Sequence, residues 1–151
     1  MRRAPKLLPW LIGVMILFNL LGFAIAVAAE LPSEFDCACD PDEVLRDSVT
    51  RGSLLAAPLT VLVVLAIAAL LIWTSGRWLG ALGALAALAL GVASVVGLFG
   101  EPLHPELSDP PFAFLVAWRV VAVSLSAALL ALSATTLYGR LARYEASRTK
   151  P

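Results

Sequence analysis

Four long apolar runs constrain what this chain can fold into more than any other feature of its sequence. They occupy residues 7–29, 54–73, 78–99 and 112–138, and the first three contain no ionisable side chain. A helix needs about 20 apolar residues to cross the hydrocarbon core of a bilayer. Because an unpaired backbone amide is costly in hydrocarbon, we expect all four runs to be helical.

The composition argues against a soluble fold. The apolar residues make up 60% of a chain of 151 residues, and the mean hydropathy is +0.90. A soluble protein of this size has too much surface for its volume to bury so many apolar side chains. The sequence therefore predicts an all-α integral membrane protein, residues 1–151 forming one membrane domain. We expect four transmembrane helices in an antiparallel up-down bundle.

Two details refine the boundaries of these predicted spans. Pro58 falls in the first turn of the second span, where a missing amide donor costs least. Residues 74–77 are the only link between the second and third spans, so these two form a helical hairpin. In the fourth run, residues 120–138 are long enough to form most of the span alone.

Charged residues alternate in sign between the links. The segments 1–6, 74–77 and 139–151 together hold eight of the eleven basic residues and one acid, for a net charge of +7. The links 30–53 and 100–111 carry net charges of −5 and −3. By the positive-inside rule, both termini are predicted to be cytoplasmic, and the protein is predicted to be a multi-pass protein of the plasma or inner membrane.

The first span has a competing interpretation. Its basic start, apolar stretch and small residues Ala26, Ala28 and Ala29 are also typical of a cleavable signal peptide. The apolar stretch is longer than the usual one of about 7–15 residues, which favours an uncleaved anchor. Cleavage would leave three spans and the same orientation for the rest of the chain.

Small residues recur every four positions in the third and fourth spans. The positions are Gly83, Ala87 and Gly91 in the third span, and Ala127, Ala131 and Thr135 in the fourth. Small faces let helix backbones approach closely, so we predict that these two helices pack tightly, either together or against a partner. The alternative is that the spacing reflects only the usual abundance of Gly and Ala in membrane helices.

Two polar residues fall inside the apolar runs. Asn19 could contact a substrate or ion, but a single interhelical hydrogen bond is the favoured interpretation because no second polar group in its helix completes a path. Arg119 is a candidate functional charge. The length of its run favours a place at the outer interface, with the guanidinium reaching headgroups or acidic residues.

The link 30–53 contains Cys37 and Cys39, the only cysteines. We predict that they face the oxidising side, where they could form a disulfide with each other or with another chain, bind a soft metal, or remain an idle pair. His104, in the proline-rich link 100–111, could join them as a metal ligand or sense pH, but a solvent-exposed side chain without such a role is the favoured interpretation. Two thiolates are too few for a closed zinc site, so no metal or cofactor is assigned.

A short helix is predicted within the same link. Asp40 suits an N-cap, Pro41 suits the first helical position, and Glu43 can complete a capping box. We therefore expect a short extracytoplasmic helix over residues 41–51.

The sequence contains no recognisable catalytic, phosphate-binding or nucleic-acid-binding motif. The leading hypothesis is a non-enzymatic accessory or scaffold subunit that packs in the bilayer against a membrane-protein partner or another copy of itself. One alternative is an extracytoplasmic thiol- or metal-handling protein acting through Cys37 and Cys39. Another is a small-solute permeation component using Asn19 and Arg119.

Overall fold

Four helices make up most of the structure. The computed structural model describes residues 4–29, 46, 49–50, 52–53, 55–74, 77–100 and 111–148. The helices are α1 (Ala4–Ala28), α2 (Leu59–Trp73), α3 (Arg77–Gly100) and α4 (Phe112–Arg148).

The helices form a closed ring in which each contacts two neighbours. The helix α3 packs against α2 and α4, and α1 packs against the same two helices. Neighbours run antiparallel: along α3, Gly80 lies beside Arg140 of α4, whereas Gly91 lies beside Leu130. The predicted helical bundle is confirmed.

Three of the four helices are long and apolar enough to cross a membrane. The qualifying segments are Leu7–Ala28, Trp78–Phe99 and Phe112–Ala142. The helix α2 has only 15 residues, which gives it a length of about 22 Å. The hydrocarbon core of a bilayer is about 30 Å thick, so α2 alone does not span it.

The interior contains two apolar clusters. The larger consists of Leu8, Ile12, Met15, Leu62, Leu65, Ala68, Ile72, Ala84, Ala87 and Leu129, contributed by all four helices. The smaller consists of Ala26, Leu55 and Leu115. Leu55 precedes α2, so the smaller cluster packs a non-helical segment of chain between α1 and α4.

The start of the second span differs from the prediction. The sequence predicts a span from residue 54, but α2 begins at Leu59, and Pro58 is the residue before the helix rather than part of its first turn. Pro58 has an extended backbone conformation, with φ −52° and ψ 145°. A proline disfavours helical geometry in the residue before it, so Ala57 remains outside the helix.

The fourth helix is longer than predicted. It continues to Arg148, ten residues past the expected end of the span at 138, and absorbs most of the predicted tail 139–151. Gly139 does not interrupt it, and the residues that follow, such as Leu141 and Ala142, are good helix formers.

The predicted short helix over 41–51 falls mostly outside the described residues. Arg46, Val49 and Thr50 are described, and each is helical. The Thr50 hydroxyl donates to the Arg46 carbonyl at 2.9 Å, as one turn of helix allows. The helix as a whole stays a prediction.

Candidate functional site

A non-helical turn precedes α2 and is the only described break in the bundle interior. We refer to Gly52–Pro58 as the 52–58 turn; Leu54 is not among its described residues. The Ser53 amide donates to the Ala56 carbonyl at 2.8 Å, and the Ala56 amide donates to the Ser53 carbonyl at 3.2 Å. These two bonds close a tight loop at the start of the turn.

Glycine is required at the first position of this turn. Gly52 has φ +92°, a conformation that L side chains rarely adopt. A Cβ at this position would lie 2.9 Å from the Ala56 carbonyl oxygen and 2.9 Å from the Pro58 ring. The local sequence therefore sets the direction of the chain before it reaches α2.

Asn19 of α1 binds the end of the 52–58 turn. Its Oδ1 accepts a hydrogen bond from the Ala57 amide at 2.9 Å, and its Nδ2 donates to the Met15 carbonyl at 2.8 Å. Both halves of the side-chain amide are thus engaged with backbone groups. The hydrogen bond predicted for Asn19 goes to the non-helical backbone before α2 rather than to a helix.

Trp118 of α4 binds the same turn from the other side. Its indole nitrogen donates to the Leu55 carbonyl at 2.8 Å. Phe18 stacks on the indole with ring centroids 4.2 Å apart, and Phe114 lies at 5.7 Å. Together, Asn19 and Trp118 hold two backbone polar groups that no helix satisfies, and we refer to this pair as the clamp.

A glycine makes room for the clamp. Gly22 is buried, and a Cβ added there would overlap the Leu55 carbonyl and lie 2.9 Å from the Trp118 ring. Gly13, on the same helix, has nothing within 4 Å of such a Cβ. The close approach of the turn to α1 therefore requires a residue without a side chain at position 22.

The clamp lies well below the helix ends. Asn19 is nine residues from Ala28, the end of α1, which corresponds to about 14 Å along the helix. Leu55 and Ala56 are less than 10% exposed. Non-helical backbone in a bundle interior needs hydrogen-bond partners from other elements, and the clamp provides them.

Chemically, the clamp contains only amide, indole and backbone groups, none of which titrates near neutral pH. Ser53 adds a hydroxyl whose oxygen is shielded from solvent and has no hydrogen-bond partner in the part of the chain that the structure describes. This arrangement can hold a chain segment in place, and it offers no acid, base or nucleophile positioned by a neighbour.

A second polar arrangement lies at the opposite end of α2. The last carbonyls of this helix need partners outside it. The Thr74 amide donates to the Leu70 carbonyl at 2.9 Å, and the Thr74 hydroxyl donates to the Leu71 carbonyl at 3.1 Å. The Arg140 Nη2 donates to the Ile72 carbonyl at 3.3 Å. Thr74 and Arg140 thus cap α2.

The guanidinium of Arg140 fits over a glycine of α3. Gly80 is buried, and a Cβ there would overlap the guanidinium group. Three aromatic side chains near this end, Trp73, Trp78 and Tyr138, are 67%, 68% and 76% exposed. We refer to the Arg140 guanidinium, Gly80 and the Ile72 carbonyl as the Arg140 notch.

Of the small residues predicted to pack, those on α3 are buried in the bundle and those on α4 are exposed. Gly83, Ala87 and Gly91 of α3 are all buried. Gly83 lies against α2, where a Cβ would meet the Ala68 carbonyl oxygen at 2.7 Å, and Gly91 lies against Leu130 of α4.

On α4, however, Ala127, Ala131 and Thr135 are exposed, so they do not form the contact with α3 within this chain. The buried residues of this helix are instead Leu115, Ser126, Leu129 and Ser133. The two rows are adjacent on one helix and both contain small residues, so spacing alone could not distinguish them. A contact of the exposed row with a second chain stays a prediction.

Of the remaining predicted site residues, the structure describes only one. Arg119 is half-buried on α4, next to Trp118. Cys37, Cys39 and His104 lie outside the described residues, so the thiol and metal hypotheses that depend on them stay predictions. Among the described residues, no group of three His, Cys, Asp or Glu side chains could hold a metal ion.

Sequence reasoning missed Trp118, Gly22, Gly80 and Arg140. Trp118 lies near the start of an apolar run, where a tryptophan usually marks only the membrane interface, but its indole N–H has a specific acceptor 63 residues away in the chain. An indole N–H inside an apolar run needs an acceptor, which is the signal that could have pointed to it. No comparable signal marks Gly22 or Gly80, because their role depends on what faces them.

Comparison with known proteins adds no function to this geometry, since no family model, no curated protein and no solved structure matches the chain.

Proposed function

We propose that this chain is a non-enzymatic accessory or scaffold subunit that inserts into a bilayer and packs there against a membrane-protein partner or a second copy of itself. Its exposed surface supports insertion. Leu17, Leu70 and Val96 are each about two-thirds exposed and lie on three different helices. So broad an apolar exterior is favourable in lipid and costly in water.

The contrast between the two faces of α4 carries the proposal of a partner. One face, with Leu129 and Ser133, is buried inside the bundle. The other presents Ala127, Ala131 and Thr135 to the outside, and the Thr135 hydroxyl is turned back onto the Ala131 carbonyl at 3.0 Å. A small face without projecting polar groups lets another helix approach closely.

The permeation alternative is less well supported by the same geometry. A solute path needs polar groups that can exchange partners with the solute. Asn19, which that hypothesis requires, holds the Met15 carbonyl and the Ala57 amide with its two polar atoms. Engagement of both atoms favours a structural role for this side chain.

Purification in mild detergent followed by native mass spectrometry tests the accessory role. We expect the wild-type chain to be recovered in a complex of defined mass with a partner or a second copy. Ala131→Leu should weaken that complex because the larger side chain separates the two helices. Ala93→Leu, at an exposed position on α3, is the matched control and should leave the complex intact. Recovery of the wild type as a lone monomer under all conditions would contradict the proposal.

Orientation is a separate part of the proposal. The net charge of +7 on the segments 1–6, 74–77 and 139–151 supports a cytoplasmic location for both termini. Reporter fusions after residue 151 should be active only in the cytoplasm, and fusions within 100–111 only outside. The opposite pattern would overturn the orientation without affecting the proposed bundle.

A further inference from the structure

The Arg140 notch holds a guanidinium group in a fixed place. Its Nη2 binds the Ile72 carbonyl at the end of α2, and Gly80 leaves the space over α3 in which the group lies. Arg140 is half-buried rather than extended into solvent. A long basic side chain on a helix surface normally samples many rotamers, so this contact distinguishes Arg140 from a freely moving charge.

The depth of the notch matches the level of lipid headgroups. Exposed Trp73, Trp78 and Tyr138 surround this end of the bundle, and such rings favour the boundary between headgroups and acyl chains. Along α4, Arg140 is two residues past Tyr138, or about 3 Å at the rise of a helix. Arg140 therefore lies close to the level that these rings mark.

The surrounding charge favours an anion. By sequence, the segments 1–6, 74–77 and 139–151 carry a net charge of +7, and each includes or adjoins described helix residues on this side of the bundle. A guanidinium is a planar fork that matches a phosphate group, and it is less strongly hydrated than an ammonium. The net positive charge, the headgroup level of the notch and the planar shape of the guanidinium therefore all favour a phosphate group as the ligand.

We propose that the Arg140 notch binds the phosphate of an anionic phospholipid in the leaflet at this end of the bundle. The proposal goes beyond the accessory role and rests only on the proposed membrane insertion. The headgroup would bridge the end of α2, the start of α3 and the turn of α4 that carries Arg140.

Native mass spectrometry of the full chain, titrated with phosphatidylglycerol or phosphatidylcholine of the same acyl chains, tests the site. We expect the wild type to bind phosphatidylglycerol about fivefold more tightly, the effect of roughly one basic residue near an anionic surface. Arg140→Gln should abolish this preference. Gly80→Ala should reduce it while keeping every charge, because the added methyl group displaces the guanidinium.

Arg148→Gln is the matched control, since it removes one positive charge from the same helix outside the notch. If Arg148→Gln lowers the preference as much as Arg140→Gln, diffuse charge explains the binding and the site is wrong. Equal binding of the two lipids by the wild type, or displacement of phosphatidylglycerol by millimolar inorganic phosphate, would also overturn it. Circular dichroism identifies a variant that fails to fold. If Arg140→Gln does not fold, Arg140→Lys takes its place. This variant keeps the charge but loses the planar fork, so it should show an intermediate preference for phosphatidylglycerol.

Carbonate extraction of membranes distinguishes failure of the proposed lipid site from failure of membrane insertion. A chain that is extracted does not span the membrane, which removes the basis for both proposals. A chain that stays in the membrane but shows no headgroup preference contradicts only the lipid site. A chain that binds phosphatidylglycerol but never forms a complex contradicts only the accessory role.

Discussion

Replacing Asn19 with Leu tests whether the clamp holds the 52–58 turn in place. Leu has a similar branched shape but lacks the Oδ1 atom that accepts the Ala57 amide at 2.9 Å. The bond from Asn19 to the Met15 carbonyl is also lost, at little cost because that carbonyl still accepts the helical amide four residues later. The net effect is one amide without its acceptor inside the bundle.

The expected loss of stability follows from that single amide. Leaving a buried backbone donor unsatisfied costs about 1–3 kcal/mol. Measured side-chain hydrogen bonds within membrane proteins contribute roughly 0.6–2 kcal/mol. We therefore expect Asn19→Leu to lower the free energy of unfolding by about 1–2 kcal/mol, a change of roughly five- to thirtyfold in the equilibrium constant.

Titration of the protein in mixed micelles with increasing sodium dodecyl sulfate measures this change. In a background in which Trp10, Trp73 and Trp78 are replaced by Phe, Trp118 reports on the clamp, because it stacks on Phe18 at 4.2 Å and its fluorescence should change when the turn is released. Ser124→Ala is the control: Ser124 is exposed and its hydroxyl binds only the Val120 carbonyl of its own helix. The control should change the free energy of unfolding by less than about 0.5 kcal/mol.

Hydrogen exchange at the Ala57 amide provides the second measurement. In the wild type this amide should be protected by its bond to Asn19, and in Asn19→Leu it should exchange faster. The reasoning is refuted if Asn19→Leu is no more destabilising than Ser124→Ala and the amide stays equally protected. In that case the turn does not depend on the clamp.

Further substitutions test the glycines and the indole of this site, and circular dichroism can follow the same titration. Gly22→Ala should cost about 1–3 kcal/mol because its methyl group overlaps the Leu55 carbonyl, whereas Gly13→Ala should be neutral or slightly stabilising. Equal effects at the two positions would contradict the close approach. Gly52→Ala should cost about 1–2 kcal/mol because of its positive φ, and an unchanged midpoint would argue against that conformation. Trp118→Phe keeps an aromatic ring but removes the indole donor, so we expect a loss of about 1 kcal/mol; no loss would show that the Leu55 carbonyl does not need it.

Hydropathy predicted the helices but not where α2 begins. Runs of about 20 apolar residues have few structural options in lipid, which is why α1, α3 and α4 could be placed from length alone. The residues before Pro58 are as apolar as those after it, so an average over side chains does not register the break. The break depends on backbone conformation at Gly52 and Pro58 and on partners in other helices.

The candidate site was predictable only in part, for the same reason. Asn19 was identified because it is polar within an apolar run, and a hydrogen-bonding role was the favoured interpretation. Its acceptor role toward Ala57, 38 residues away, depends on a turn that the sequence pattern does not reveal. On α4, the choice between the row with Ala131 and the row with Ser133 depends on which side α3 occupies, and that is a tertiary property.

The clamp also imposes an order on biosynthesis. Asn19 is synthesised 38 residues before Ala57, so its bond to Ala57 can form as soon as the two segments meet. Trp118 follows Leu55 by 63 residues. At about 5–20 residues per second, the Leu55 carbonyl waits roughly 3–13 s for its donor. During that interval the Leu55 carbonyl needs another donor, such as water, and the clamp closes only when α4 arrives.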